Sequence, residues 1–326
     1  MAEQAEQAAQ VEHRTARTTV VVVTWRGREH VGECLDALAA QDRPHRTLVV
    51  DNASDDGTAA VLAAHPGRPH VLRLGRNLGY AGGLAAALST VDTPLVAWLN
   101  DDAAPEPGWL AALEDALDAD PGVAAAGSLL LSADGSVQSA GVRLTADGHG
   151  ADLPEPPPSD DEPFGFCGGA ALTRVDALRA VGGVPADFFC YYEDTDTAWR
   201  LRLAGRRIVT VRTARVGHRH GASSQPGSVR FHRWNERNRL LMLLRCAPAG
   251  VAARELARFA LITALLPARR ALGRPVPDAA NFRLSLRLGV LGQVLSRLPA
   301  TVAARREIGR HAAVSRATVW RRWAGR

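Results

Sequence analysis

Four short clusters of acids, amides and histidines hold the residues able to do bond-making chemistry. Asn100-Asp101-Asp102 follows an apolar run directly, which would place its oxygens at the rim of a cleft. Oxygen donors on a short turn suit Mg²⁺ or Mn²⁺, and such an ion would neutralise a diphosphate. An Asp-rich turn that caps the helix after Pro105 is the alternative for the same residues. Asp51-Asn52-Ala53-Ser54-Asp55-Asp56-Gly57 also opens at a predicted strand end. There Asp51 could accept bonds from a ribose or base, while Asp55, Asp56 and Gly57 read as a turn and helix cap. Glu193-Asp194, with Asp196, stands at a helix start, where carboxylates are also favoured by the helix dipole alone. In the functional reading one of the pair is a general base, in a pocket lined by Phe188, Phe189, Tyr191, Tyr192 and Trp199. His218-Arg219-His220 could add a nitrogen donor to an oxygen-lined metal, or serve a structural role.

The elements that must position these clusters alternate in type. Thr19–Thr24 is a continuous β-branched run, the mark of a parallel strand buried on both faces. Further strands are expected at Leu48–Val50, His70–Leu74, Leu95–Leu99, Val123–Leu131, Val137–Leu144, Phe166–Thr173 and Ile208–Val211. Helices are expected at His30–Gln41, Thr58–Ala64, Gly82–Thr90, Trp109–Leu117 and Glu193–Ala204, with a shorter one ending at Gly182-Gly183. This is an α/β chain with a doubly wound, mostly parallel sheet, and in such sheets ligands collect at the carboxyl ends of strands. Arg26, Asp51, Asn77 and Asp101 all fall at such ends, which predicts one cleft. Residues 150–163 are Pro-rich and acidic, a predicted surface loop. Beyond residue 228 only helices are expected, broken near Pro248, Pro267–Pro277 and Pro299. The Gly-rich stretch Arg76–Gly83 could bring backbone amides to a phosphate, yet it matches neither G-x-G-x-x-G nor a P-loop.

Composition narrows the class. The 326 residues are 46% hydrophobic and 22% charged, which is too apolar for general disorder and long enough for one large or two ordinary domains. The four cysteines lie far apart without a Cys-x-x-Cys, against a zinc ribbon or disulfide scaffold and in keeping with a reducing compartment. The first 17 residues are polar and read as a disordered lead-in, with no apolar stretch to act as a signal peptide. The longest C-terminal apolar run, Phe259–Leu266, is eight residues, against the ~20 a bilayer span needs. A soluble or peripheral cytoplasmic protein is expected. Residues 1–200 hold 13 Arg against 30 acids, a balance of −17, whereas residues 201–326 hold 26 Arg against four acids, a balance of +22. There is no lysine, so every fixed side-chain cation is a guanidinium, suited to forked contact with phosphates.

Taken in order, the clusters resemble the family 2 glycosyltransferases of GT-A fold, in particular their bacterial rhamnosyltransferase-like branch. The matching text is VVVVTW (20–25), VVDNASDDGT (49–58), RNLGYAGG (76–83), WLNDDAAPEPGWL (98–110), GFCGGAALTRVDALRAVGG (165–183), FFCYYEDTDTAWRLRLAG (188–205) and VGHRHGASS (216–224). The resemblance implies a transferase domain over 18–245, followed by a basic amphipathic helical extension over 246–326. It implies transfer of a sugar, with inversion, from a nucleoside diphosphate sugar to a hydroxyl. By that resemblance Asp51 would hold the nucleoside, with Thr24, Arg26, Asn77, Gly79 and Asp101 lining the donor site. Asp102 would ligate Mg²⁺ or Mn²⁺, joined by Asn100 and by His218, with His220 as the less favoured histidine. Asp194 would be the base, with Glu193 as fallback, and Gly168, Gly169, Tyr192 and Trp199 would form the acceptor side. Two departures stand out: Asn100 fills the first acidic position of the D-x-D-like turn, and Arg26 stands where many relatives carry Asn.

Rhamnose on dTDP is the donor the branch suggests, with UDP-galactofuranose, UDP-hexoses and GDP-mannose as alternatives. The acceptor would be a glycan or a polyprenyl-linked sugar in cell-envelope polysaccharide synthesis. The Arg-rich helices would suit an anionic membrane surface, or equally an oligomer interface or helical lid. A sugar-nucleotide nucleotidyltransferase is disfavoured by the missing lysine and missing N-terminal Gly-rich signature. A non-catalytic nucleotide-sugar or nucleic-acid binder is the rival of another class. The acids at 101, 102 and 194, and the scarcity of aromatics among the tail arginines, weigh against it.

Overall fold

The computed structural model describes residues 16–158, 161–219 and 227–325, so the predicted lead-in, except for Ala16 and Arg17, and His220 lie outside the described residues. The β-branched run forms β1 (Thr18–Thr24), every residue of it buried. Its alternate side chains enter two cores, Val21 and Val23 on one face and Val20 and Val22 on the other. Around β1 stand β2 (His45–Asp51), β3 (His70–Arg73) and β4 (Leu95–Asn100), all parallel. The sheet then turns mixed. β10 (Ala170–Arg174) runs antiparallel between β4 and β6 (Val123–Leu131), and β11 (Arg207–His218) pairs parallel with β6. At its far edge β5 (Ala103–Pro105) runs antiparallel to β11, and β7 (Val137–Ser139) pairs with β6.

Helices α1 (Val31–Ala39), α2 (Thr58–Ala64), α3 (Gly79–Leu88), α4 (Trp109–Ala119), α5 (Val175–Ala180) and α6 (Glu193–Leu203) cover the sheet. A bundle of five helices completes the molecule: α7 (Val229–Cys246), α8 (Ala249–Ala271), α9 (Leu284–Ser296), α10 (Leu298–Arg310) and α11 (Arg316–Trp323). The α/β class and the helical C-terminal region are therefore as expected.

Four local expectations change. The predicted strand over Val137–Leu144 is split into β7 and β8 (Val142–Leu144) by Gly141, whose φ of +121° turns the chain; β8 pairs instead with β9 (Gly150–Asp152). The strand expected from Phe166 begins only at Ala170, because Cys167-Gly168-Gly169 forms a turn at the cleft. The strand expected over Ile208–Val211 runs on to His218 through a register shift between Thr210 and Arg215, gaining β5 as a partner. Pro267 does not end α8, which continues to Ala271. Burial of Phe259, Thr263 and Leu266 along one face outweighs the single backbone bond a proline removes.

Candidate active site

The strands end on a cavity of about 970 Å³. Among its lining residues are Asn77, Gly79, Asn100, Asp101, Asp102, Gly168, Gly169, Glu193, Asp194 and His218. One cleft thus gathers residues of all seven sequence motifs, from Val23 to His218.

The floor is set by strand pairing. β4 delivers Asn100, and β5 begins immediately after Asp102. Pairing of Ala103 with His218 across β5 and β11 brings the histidine beside that turn. His218 Nε2 lies 3.1 Å from Asp102 Oδ1 and 3.0 Å from the Asn100 amide, while Nδ1 faces Gln138 Oε1 at 3.0 Å. Burial pushes the Asp102 carboxyl up, but the His218 hydrogen bond and charge more than offset this and leave it below its ordinary value. Asp102 is therefore an anion at neutral pH. Among the described residues no three His, Cys, Asp or Glu side chains converge as a complete metal cage. A carboxylate and an amide, each within hydrogen-bond distance of the same imidazole, nevertheless fit a hard divalent cation that keeps waters and substrate phosphates as its other ligands.

Next to this turn, His30 Nε2 lies 3.2 Å from Asp101 Oδ2. The Asp101 carboxylate beside it, opposed by burial, raises the His30 pKa. The angle leaves both atoms, together with Thr24 Oγ1, buried and short of a hydrogen-bond partner among the described residues. A Cβ on Gly27 would fall 2.2 Å from Thr24 Oγ1 and 2.6 Å from Asp101 Oδ2, so these oxygens converge on one spot. Buried polar atoms with unused capacity are rare, and here they adjoin the cavity wall.

The opposite wall carries the two acids. Asp194 Oδ2 accepts the Gly168 N–H at 2.9 Å, and Oδ1 accepts the Thr195 N–H and hydroxyl at 2.5 and 3.0 Å. Burial raises its pKa, and these bonds act against that rise. Glu193 is helped only by its own backbone N–H. Burial and the neighbouring Asp194 charge push it up to about 8, and its Oε2 has no hydrogen-bond partner among the described residues. Hydrogen bonds to Asp194 thus favour its charged form, whereas burial favours the neutral acid at Glu193. Gly168 links the two walls: its carbonyl accepts the Tyr80 hydroxyl at 2.6 Å, and the next carbonyl, of Gly169, accepts the Asn100 N–H at 2.9 Å. Burial also raises the Cys167 and Cys190 thiols well above their ordinary values, so neither cavity cysteine is a thiolate nucleophile.

Several other expected residues sit off the cavity wall. Asp51 is fully buried, accepts the Ser54 N–H at 2.8 Å and pairs with Arg73. Arg26 is exposed and forks onto Asp55 at 2.7 and 2.8 Å, while its neighbour Trp25 lines the cavity. Asp56 accepts the Thr58 N–H and hydroxyl at the start of α2, whose N-cap is Gly57 without a side-chain cap, so neither Ser54 nor Asp55 caps that helix as the sequence suggests. Asn77 lines the cavity and accepts the Gly79 N–H at 2.8 Å. Of the five aromatics predicted to wall the base, Phe188, Tyr192 and Trp199 pack into the core instead. Trp199 stacks on Trp320 of α11, which explains its complete burial. Phe231 and Trp234 replace them on the wall, reaching Tyr191 and Phe189 with ring centroids 5.1 and 4.7 Å apart. Only their i, i+3 spacing on α7 hinted at a shared face.

The turn that delivers the acids is strained. Phe189, Tyr191 and Tyr192 have φ of 65°, 70° and 68°, a left-handed region costing roughly 1–2 kcal/mol for each non-glycine residue. Phe189, with ψ of −62°, and the Cys190 N–H to Phe188 carbonyl bond of 2.8 Å define a γ-turn of the rare, strained hand.

Residues 19–182 match the family described as glycosyl transferase family 2, half of the chain. The chain belongs to that family. As a glycosyltransferase of GT-A fold, it transfers a sugar from a nucleoside diphosphate sugar to an acceptor. It is 31% identical over 244 residues, 64% of this chain and 78% of the relative, to N-acetylglucosaminyl-diphospho-decaprenol L-rhamnosyltransferase of Mycobacterium tuberculosis. A shorter likeness, 42% over 69 residues, 21% of this chain and 23% of the relative, is to galactofuranosyltransferase GlfT1 of Mycolicibacterium smegmatis. In fold this glycosyltransferase is similar to the mannosyltransferase PcManGT of Pyrobaculum calidifontis, solved with GDP-Man and Mn²⁺. That match has a TM-score of 0.53 and 21% identity, over 86% of this chain and 87% of that one. It is also similar to GalNAc-T7, solved with UDP, GalNAc and Mn²⁺, at a TM-score of 0.59 and 12% identity, over 87% of this chain and 57% of that one.

Proposed function

We propose that this glycosyltransferase moves L-rhamnose from dTDP-rhamnose, with inversion, to a hydroxyl of a polyprenyl-diphosphate-linked sugar in cell-envelope polysaccharide synthesis. The observation that carries the reaction type is a carboxyl group, Asp194, anchored by the Gly168 N–H on the cavity wall, with Asp102 and His218 in the same cavity. The choice of donor and acceptor rests on the mycobacterial relative's name and on the sequence motifs. In the reaction Asp194 accepts the proton of the acceptor hydroxyl, and the oxygen attacks the anomeric carbon. The bond from that carbon to the diphosphate breaks, and its electron pair leaves with the nucleoside diphosphate. Mg²⁺ or Mn²⁺, held by Asp102 and His218 with Asn100 beside them, would supply charge neutralisation for that leaving group. Attack opposite the leaving diphosphate inverts the centre.

A transfer assay over dTDP-rhamnose, UDP-galactofuranose, UDP-hexoses and GDP-mannose, with a short-prenyl N-acetylglucosaminyl diphosphate as acceptor, tests the reading. Mn²⁺-stimulated transfer from dTDP-rhamnose with an inverted product is expected. Asp194→Asn should lower kcat by about 10²–10⁴-fold while donor binding persists. Retention of configuration, or an Asp194→Asn enzyme of normal rate, would overturn the mechanism; preference for another donor would overturn the sugar assignment.

The basic helical region is proposed as a membrane-facing extension beginning after residue 245. Of the eight large apolar side chains most exposed among the described residues, seven lie between Leu261 and Val302. Residues 249–326 hold 15 Arg against three acids. Among the described residues no helix is long and apolar enough to cross a membrane, so contact would be peripheral. Two copies meeting through this face would bring like charges together, whereas an anionic lipid surface complements them.

A further inference from the structure

We infer that Asn238 is a positioning residue for the two acids: its amide clamps the strained 188–192 turn from the facing helix α7, and so fixes where Asp194 stands in the cavity. Asn238 has no exposed surface. Its Nδ2 lies 2.9, 2.8 and 2.8 Å from the carbonyl oxygens of Phe188, Cys190 and Tyr191. Three carbonyls of one five-residue segment thus converge on a single side-chain donor. The Asn238 Oδ1 accepts the Arg237 Nε–H at 2.8 Å, which fixes the amide's orientation, and the Arg237 fork reaches the Phe188 carbonyl itself at 2.6 Å. Burial lowers the Arg237 pKa to about 10, which still leaves it a cation at neutral pH.

The clamp holds a conformation that the segment would otherwise leave. Phe189, Tyr191 and Tyr192 carry Cβ atoms and adopt left-handed φ, and no glycine in the segment relieves them. The Ala81 N–H adds a brace from outside the turn, to the Phe189 carbonyl oxygen at 3.0 Å. Glu193 and Asp194 begin α6 directly after Tyr192, so relaxation of any of the three φ angles would swing both acids. Strain retained next to reacting groups and held by a buried polar clamp is the pattern expected of preorganisation. Neither Asn238 nor Arg237 lines the cavity, so the pair acts through the turn.

This inference rests on the transferase reading for its kinetic consequence but not for its structural one, and the two are measured separately. Asn238→Ala, with Arg237→Lys as a milder change that keeps charge and stem, is compared with the wild-type full chain. In the absence of any substrate, hydrogen exchange of the 190–196 amides should quicken at least tenfold in Asn238→Ala while β1 and β4 amides keep their protection. With dTDP-rhamnose and the short-prenyl acceptor, kcat should fall about tenfold or more with donor KM within twofold, and Arg237→Lys should fall between the two. Unchanged local exchange in both variants overturns the clamp whatever the enzyme does. Local exchange that rises while kcat stays normal overturns the positioning role and leaves a structural one. Should the wild-type chain turn over no nucleoside diphosphate sugar, it is the transferase reading that fails, and the exchange arm still decides the clamp.

Discussion

At the residue scale the site separates two adjacent carboxyls by their hydrogen-bond donors. Asp194 has three, whereas the buried Oε2 of Glu193 has no partner among the described residues, and burial together with the Asp194 charge raises Glu193 to about 8 against the weaker pull of its own backbone N–H. This has a consequence for stability. A carboxyl whose pKa is higher folded than unfolded holds its proton more tightly in the native state. Its contribution is fully present below the ordinary value of 4.5 and is lost as pH rises through about 8. Between those limits native stability should decline with pH by at most about 1.4 kcal/mol per pH unit from this group. Glu193→Gln should remove that slope. Urea unfolding at pH 5.5 and 8.5 checks it: the variant should lose less stability than the wild type between the two pH values, and equal losses would contradict the assignment. Sequence alone named the pair correctly as adjacent acids at a helix start, but nothing in the letters E-D distinguishes the one that Gly168 reaches.

At the scale of elements, close approach decides residue type. Gly79 opens α3 with φ of +74°, and a Cβ there would fall 2.1 Å from the Phe189 carbonyl oxygen. Both the backbone conformation and the space exclude a side chain. Gly79→Ala should therefore destabilise by roughly 1–3 kcal/mol and separate α3 from the 188–192 turn, measured as a lower urea midpoint together with a raised donor KM. A midpoint within experimental error of the wild type would show that the contact is dispensable. The same contact explains why the RNLGYAGG stretch resisted interpretation as a phosphate loop. Its first glycine makes room for another segment of the chain, and Gly83 likewise lies where a Cβ would meet Val23 at 2.6 Å. The extension of β11 to His218 is the other element-scale event. A strand pattern ending at Val211 does not foretell a register shift that carries the chain on to pair with β5.

For the whole molecule, buried ion pairs tie the α/β layer to the helical bundle. Asp196 of α6 bonds Arg200 at 2.7 Å and Arg245 of α7 at 3.3 Å, all three largely buried. Arg202 of α6 lies over the Trp323 ring of α11 at 4.4 Å. These contacts anchor the bundle that offers the apolar and basic outer face. On α8, Phe259, Thr263 and Leu266 turn inward, while Leu261 and Leu265 are 59% and 48% exposed; on α9, Leu288 and Leu295 are 54% and 63% exposed. Spacings of four and seven residues put each exposed pair on one stripe. Flotation with phosphatidylglycerol-rich vesicles should recover the wild-type chain, and replacing Leu261, Leu265, Leu288 and Leu295 by Ser should reduce recovery at least fivefold. Salt that releases both proteins equally, or equal recovery from neutral phosphatidylcholine vesicles, would count against an anionic lipid partner.

The sequence by itself determined the class of fold and the cast of the site. A run of valines buried on both faces can only be an interior strand, and acids placed directly after such runs must emerge at its end, because strand geometry is local and periodic. It also separated an acidic front from a basic tail, since charge is additive along the chain. Only the tertiary structure decided which of these residues meet. The pairing of β5 with β11 that seats His218 by Asp102, the withdrawal of Trp199 into the core, the arrival of Phe231 and Trp234 from α7, and the Asn238 clamp on the turn before Asp194 all join segments distant in sequence. Such contacts depend on how whole elements pack. No window of neighbouring residues contains that information.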